Sequence, residues 1–442
     1  MADGEVFKYF GNFLFPNVFK TFRIAIQPSR LLTAFAGVVV VFISGWLMDF
    51  TGTVVVSGDV TRGQLQASGM SGSLVYPSEL HCYVQNPAKV GLYVDRYQAR
   101  NEGLGVFKVF GNYLAGRFNN AVEGFVTLRF DLVAKSVAES VSAFGWALRY
   151  HTWYSVIFFL IVLVSFSVVG GAICRGAALH FSRDEKPTIG ECLRFSSDKF
   201  ISLLFAPLAP VIFVLTVGMV FIFLPGLLTN IPWVGEILMS IMFIAFLFFA
   251  AGITITIIYT VAGGGLLFPI VAYEGSDTFD STCKTYLCVY KTPWRLFFYT
   301  FLGLLYGAIC YLFVRFFAFV LLTASRWFLE LSVWVEGSKS EQMSKVGVIW
   351  PEPEFFNLFG SGVEIARNGT EAVAAGVVYL AVAVVAGLVG AFVVSFYFSM
   401  NTVIYSLLRK KIDDVDISKV YVDADEEDNG VNNVNEVEGE LN

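Results

Sequence analysis

Three histidines, six cysteines and one run of three glycines are the residues of this 442-residue chain whose types could do chemistry. His81 stands beside Cys82, and His151 and His180 flank one long apolar stretch. The last two are about 29 residues apart, ~43 Å along an unbroken helix, so they cannot share a metal ion. Each histidine therefore reads as a polar anchor near a membrane interface. Cys174, Cys192, Cys283 and Cys288 lie near one side of the apolar stretches, Cys310 lies inside one, and Cys82 alone falls in a segment on the other side. A lone cysteine there has no internal partner, and only a bridge to another molecule would use it. The separation of Cys283 from Cys288 is not a redox or zinc-ribbon spacing. Gly263, Gly264 and Gly265, followed by Pro269, would suit an interrupted transporter helix that binds an ion with unwound backbone. They come after about 25 apolar residues, at the end of a span, where a break serves as a corner. No phosphate loop, dinucleotide fingerprint, nucleophile elbow or metalloprotease motif occurs. No catalytic, cofactor or metal site is expected, and the chain reads as a non-enzyme.

The elements that carry these residues are set by composition. The chain is 56% hydrophobic and 15% charged, with a mean hydropathy of +0.66, where soluble domains carry about 25% charge. This excludes a soluble globular enzyme, a disordered chain and a nucleic-acid binder. Six stretches can cross about 30 Å of hydrocarbon as helices: Leu31 to Met48, Trp153 to Ala172, Leu203 to Leu224, Ile237 to Tyr259, Leu296 to Val314 and Ala372 to Val394. The first has no small-residue cleavage site after it and reads as an uncleaved anchor. No acidic or basic residue falls near the middle of a span, which argues against a proton-coupled carrier. Arg315, about 20 residues after Arg295, lands at a membrane boundary, and Asp49 ends the first span. The expected fold is an all-α integral membrane protein with six spans, amphipathic interfacial helices and a small outward-facing segment.

Lysine and arginine set the orientation. Lys8, Lys20, Arg23 and Arg30 precede the first span, Arg175 to Lys199 supplies five bases between the second and third, Lys284, Lys291 and Arg295 lie between the fourth and fifth, and Arg409 to Lys411 follow the sixth. The turn from Pro225 to Glu236 has none. Both termini are expected in the cytoplasm of a bacterial cell, with the chain in its inner membrane. Residues 1–30 then form a cytoplasmic amphipathic anchor, with Phe7, Phe10, Phe13, Phe19 and Phe22 among Lys8, Lys20 and Arg23. Residues 31–48 are the first span, and 49–152 form a periplasmic segment. That segment has a β-like run at Thr53 to Val56 and an amphipathic helix through Phe107, Phe110, Leu114, Phe118, Val122 and Phe125. Residues 321–371 read as a second outward interfacial helix, with Trp327, Phe328, Leu331 and Trp334, followed by a loop. Residues 372–411 are the last span with a cytoplasmic extension.

Residues 153–320 form a duplicated core of span, in-plane amphipathic helix and span. In the first half Thr188 and Glu191 make a capping-box signature for a helix with Ile189, Cys192, Leu193, Ser196 and Phe200 on one face. In the second, Asp277 to Asp280 opens a helix with Phe279, Cys283, Tyr286, Leu287 and Tyr290 on one face. At these residues the chain resembles a group of bacterial inner-membrane proteins similar to the membrane domain that accompanies some glycerophosphodiesterases. The resemblance rests on Arg175-Gly-Ala-Ala, Asp184-Glu-Lys-Pro-Thr-Ile-Gly-Glu, Phe268-Pro-Ile-Val-Ala-Tyr-Glu-Gly-Ser-Asp, Tyr290-Lys-Thr-Pro-Trp-Arg and Thr402-Val-Ile-Tyr-Ser-Leu-Leu-Arg-Lys-Lys. It implies the architecture alone, because the hydrolase's catalytic domain has no counterpart here.

Ala383, Gly387, Ala391, Ser395 and Ser399 recur every four residues in the last span, a spacing that lets helices approach closely. Residues 412–442 carry eleven acids against Lys419, so the net charge of -6 is a basic body with an acidic tail, and the tail reads as disordered. The lipid bilayer is the one certain partner class. A membrane-protein partner or a second copy of the chain is what the tail and outward helices would serve, and nucleic acid is excluded. The leading functional expectation is a non-catalytic structural or accessory subunit of a membrane assembly. The alternative is a permease or lipid-handling protein with its path between the two halves of the duplication.

Overall fold

The computed structural model describes residues 15–55, 77–97, 103–333, 336–337, 340–360, 368–416 and 418–421. In chain order the main elements are α1 (Pro28–Met48), β1 (Thr53–Val55), β2 (Gly103–Gly105), α2 (Val106–Val126), α3 (Phe130–Tyr150), α4 (Thr152–Arg183), α5 (Ile189–Asp198), α6 (Ala209–Val217), α7 (Val234–Gly263), α8 (Leu267–Glu274), α9 (Thr278–Lys291), α10 (Pro293–Ser332) and α11 (Gly369–Ile412). Among the described residues, six helical stretches are long and apolar enough to cross a membrane. The chain is an all-α multi-pass membrane protein whose strands amount to two two-stranded pairings among the described residues.

Most of these helices overrun the expected spans. α4 has 32 residues, α10 has 40 and α11 has 44. The outward interfacial helix expected near Trp327 is the continuation of α10, unbroken to Ser332. No proline or cap interrupts the sequence between Val314 and Arg326, so the helix runs on past the hydrocarbon length. The third span, by contrast, is broken. Phe200–Phe205 is a separate helix, and the stretch from Ala209 passes through a π-helical segment, Gly218–Phe223, before ending at Asn230. Pro207 and Pro210 lie at the break, where each removes a backbone donor.

The chain divides into two compact units. The first comprises residues 1–33, 166–303 and 395–442. Its core includes Ile173, Cys174, Leu203, Ile270, Tyr273 and Met400. α5 begins with the capping box read from the sequence: the Glu191 amide donates to Thr188 Oγ1 at 3.3 Å and the Thr188 amide donates to Glu191 Oε2 at 3.1 Å. The glycine triplet does not break the chain. α7 passes into α8 through one tightened 3₁₀ turn, Gly264–Leu266. What the glycines supply is close approach, since a Cβ on Gly265 would lie 2.5 Å from Asn401 Oδ1 and one on Gly263 2.6 Å from Thr285 Cγ2. That approach explains the orientation of α9. Its small and polar face (Ser281, Thr282, Thr285, Cys288, Val289) is buried, while Phe279 and Tyr290 are exposed. Large side chains do not fit against the glycine notch.

The N-terminal anchor is only partly described. Phe7, Phe10 and Phe13 lie outside the described residues. Phe15–Lys20 is a 3₁₀ helix and Thr21–Ala25 a short α-helix. Val18, Thr21, Ile24 and Ala25 are buried within the unit, while Phe19 is exposed.

The second unit comprises residues 34–165 and 304–394. Here the segment expected to face outward forms a module of strand pairing and helices among its described residues. β1 pairs with β2, and α2 and α3 form a hairpin. Their core gathers Val54, Leu80, Val109, Phe110, Ala143 and Trp146. Asp49 at the end of α1 caps α2, accepting the Phe107 amide at 2.7 Å and the Lys108 amide at 3.2 Å, and also accepts the Tyr154 hydroxyl at 3.1 Å. A carboxylate at a helix N-terminus meets both the free amides and the positive end of the helix dipole.

Candidate functional site

The densest arrangement of charge in the first unit lies where α8, α9 and α11 meet, and it forms around Glu274. The side chain is 13% exposed and ends α8. Its carboxylate accepts hydrogen bonds from the Tyr405 hydroxyl and the Lys284 ammonium, and Arg409 Nε lies 3.2 Å from Oε1. Helix spacing sets this convergence. Tyr405 and Arg409 are one turn apart on α11, and Asp280 and Lys284 are one turn apart on α9, where Lys284 also donates to Asp280 at 2.7 Å. For Lys284, burial disfavours the charge, but the bonds to Asp280 and Glu274 outweigh it and raise the pKa above the ordinary value.

The chain beyond α11 is strapped over these helix ends. The Tyr421 amide donates to the Tyr273 carbonyl at 2.8 Å, Arg175 Nη1 donates to the Tyr421 carbonyl at 2.7 Å, and Arg409 Nη1 donates to the Lys419 carbonyl at 2.5 Å. Arg183 reaches the carbonyls of Ser418 and Val420. Gly275, left-handed at φ +61°, leaves room for the Tyr421 ring, which a Cβ would meet at 2.7 Å. Lys199 Nζ stands 5.3 Å over the other part of this contact, the same ring. The acidic tail expected to be disordered from residue 412 is therefore docked through Tyr421, and residues 422–442 lie outside the described residues. Backbone carbonyls captured by buried arginines do not show in a composition profile.

A second buried cation, Arg30, is 4% exposed. It donates to the carbonyls of Ile24 at 2.5 Å and Gly176 at 2.7 Å, and Nη1 lies 3.2 Å from His180 Nδ1. Because arginine only donates, Nδ1 of His180 accepts and the Nε2 proton faces Asp184 Oδ1 at 3.4 Å. The sequence placed Arg30 and Arg175 in loops, but both are helical and buried, serving as internal ties.

The remaining candidates are separated. His81 is bonded to Ser78 at 2.8 Å and set edge-on to Tyr113. Burial, with the Arg117 charge adding to it, lowers its pKa to about 4. His151 packs on the Trp146 ring, and burial lowers its pKa too. Cys82 is fully buried, so it cannot form the intermolecular bridge left open by its sequence position. No group of three or more metal-ligating side chains occurs among the described residues. In the packing stripe, Ala391, Ser395 and Ser399 are fully buried, while Ala383 and Gly387 are half-buried. Ser395 donates to the Ala25 carbonyl at 2.8 Å, and a Cβ on Gly387 would meet the Phe35 ring at 2.9 Å.

The Glu274 cluster is a carboxylate held by two cations and a hydroxyl. Such a site holds elements together. The buried Cys288 thiol lies one turn along α9 from Lys284, within electrostatic reach of Glu274. Comparison of the chain with protein-family models, with curated proteins and with solved structures gives no match.

Proposed function

We propose that this chain is a non-catalytic structural or accessory subunit of a membrane assembly, set in a bacterial inner membrane with both termini in the cytoplasm. The observation that carries the reading is the use of the buried charges. Glu274, Arg175, Arg409, Arg30 and Asp49 each bind backbone groups or side chains of their own unit, so they act as ties between elements. The orientation is supported by the placing of lysine and arginine, which crowd residues 15–33, 175–199, 284–295 and 409–411 and are absent from 225–236. The bacterial setting rests on the family resemblance. Two apolar stretches, Ala209–Asn230 and Val234–Glu274, have 0% and 6% of their most apolar windows buried, which leaves a large surface for lipid or a partner.

Affinity isolation of the full chain in mild detergent tests the reading. A stoichiometric partner that is lost on deleting residues 422–442 or the outward module supports it. A chain that emerges alone, with a solute passage between the halves of the duplication, replaces it with a permease. Cysteine labelling tests the threading: E426C should react only from the cytoplasmic side, and a cysteine in the Pro225 to Glu236 turn only from the opposite side.

A further inference from the structure

An open groove of about 430 Å³ runs along the contact of α2 with α10, walled by Val126, Leu312, Phe313, Phe316, Phe355 and Phe356. That volume lies within the ~300–1,000 Å³ of ordinary ligand sites. Its wall is carbon, Glu123 is the one charged residue of its lining, and Arg315 adjoins the lining through Phe355 and Phe356. Glu123, on α2, lines the groove and is exposed, and it has no ion pair among the described residues. Arg315, on α10, lies beside the lining, 5.6 Å over the Phe356 ring. Arg315 Nε donates to the Phe355 carbonyl at 2.7 Å and Nη1 donates to the Tyr311 hydroxyl, while Nη2 has no partner among the described residues. A tie one turn away brings the helix stretches that carry the two charges side by side: the Tyr311 hydroxyl donates to Asn119 Oδ1 at 2.9 Å. Asn119 precedes Glu123 by one helical turn, and Tyr311 precedes Arg315 by one.

We infer that this groove binds one phospholipid whose headgroup carries a primary amine, of the phosphatidylethanolamine class. The sequence spacing from Arg295 puts Arg315 at a headgroup level, about 20 residues or ~30 Å along a helix from the opposite boundary. There, Arg315 Nη2 meets the phosphate, the ammonium meets Glu123, and an acyl chain lies along the phenylalanines. The charge pattern selects the headgroup. Phosphatidylglycerol would bring no cation to Glu123, and the quaternary amine of phosphatidylcholine has no N–H to donate. The site adds a bound lipid to the accessory reading and does not depend on it.

The test incubates the full chain with mixed vesicles of phosphatidylethanolamine, phosphatidylglycerol and phosphatidylcholine in equal parts, repurifies it, and quantifies retained lipid by mass spectrometry. The expected result is about one lipid per chain with phosphatidylethanolamine enriched roughly tenfold, the size of one charge-assisted hydrogen bond. E123Q, at an exposed position that leaves the fold intact, should abolish the preference over phosphatidylglycerol. R326Q, outside the groove, should retain it. Water-soluble glycerophosphoethanolamine should not displace the lipid, because it lacks the chain that fills the groove. Retention in the bulk ratio, or an E123Q variant with unchanged preference, overturns the inference.

Discussion

Replacing Glu274 with glutamine removes the charge on which three donors converge while preserving side-chain volume. The consequences differ by partner. Lys284 keeps Asp280 at 2.7 Å and is 36% exposed, so water and Asp280 compensate it. Arg409 is 16% exposed, keeps the Lys419 carbonyl, and loses its carboxylate contact. Tyr405 is buried and exchanges a charge-assisted bond for a neutral one. Breaking a buried pair by removing one partner costs about 3–5 kcal/mol, and a hydrogen bond to a charged group contributes about 1.5–3 kcal/mol. Partial exposure of Arg409 places the expected loss for E274Q at the lower end, about 3 kcal/mol. Y405F should cost about 1.5 kcal/mol and K284M no more than ~1 kcal/mol. The measurement is equilibrium unfolding of the full chain in mixed dodecyl maltoside and dodecyl sulfate micelles. An E274Q loss below ~0.5 kcal/mol, or a K284M loss equal to it, would refute the view of Glu274 as the buried hub of the clasp.

Three further outcomes follow from the same geometry. His81 stays neutral in the folded module down to about pH 4, whereas the unfolded chain protonates near 6.5. Stability is therefore unaffected above pH 6.5 and falls as pH drops from 6.5 to 4, by ~3 kcal/mol in all. His151 adds a loss of the same sign, and hydrogen exchange on α2 and α3 of the full chain should show the slope flattened in H81Q/H151Q. G265V should cost ~1–3 kcal/mol by forcing α8 away from Asn401, visible as a lowered unfolding midpoint. Truncation after Ile412 should lower the midpoint and unprotect the α8 to α9 turn, while truncation after Tyr421 should leave both unchanged; equal effects would show that Ser418 to Tyr421 do not act as a strap.

What the sequence determined by itself was whatever repeats along the chain. Apolar runs longer than the bilayer is thick identify six crossing helices, because a backbone in lipid has little choice but to helix. Local chemistry was legible as well: Thr188 and Glu191 announce the start of α5, since both partners of a capping box lie within four residues. The tertiary structure decided what depends on residues far apart. Nothing near Glu274 in sequence names Tyr405 or Arg409, and nothing near Tyr421 names Arg175. Which side of α9 is buried depends on distant residues too, as a glycine notch on another helix selects the face that packs against it. The module that follows α1 also needed the fold, because its core joins Val54, Leu80 and Trp146 across a long span of chain. Periodicity measures one helix against a uniform solvent, whereas charges and glycines are used pairwise, so their roles appear only when the helices meet.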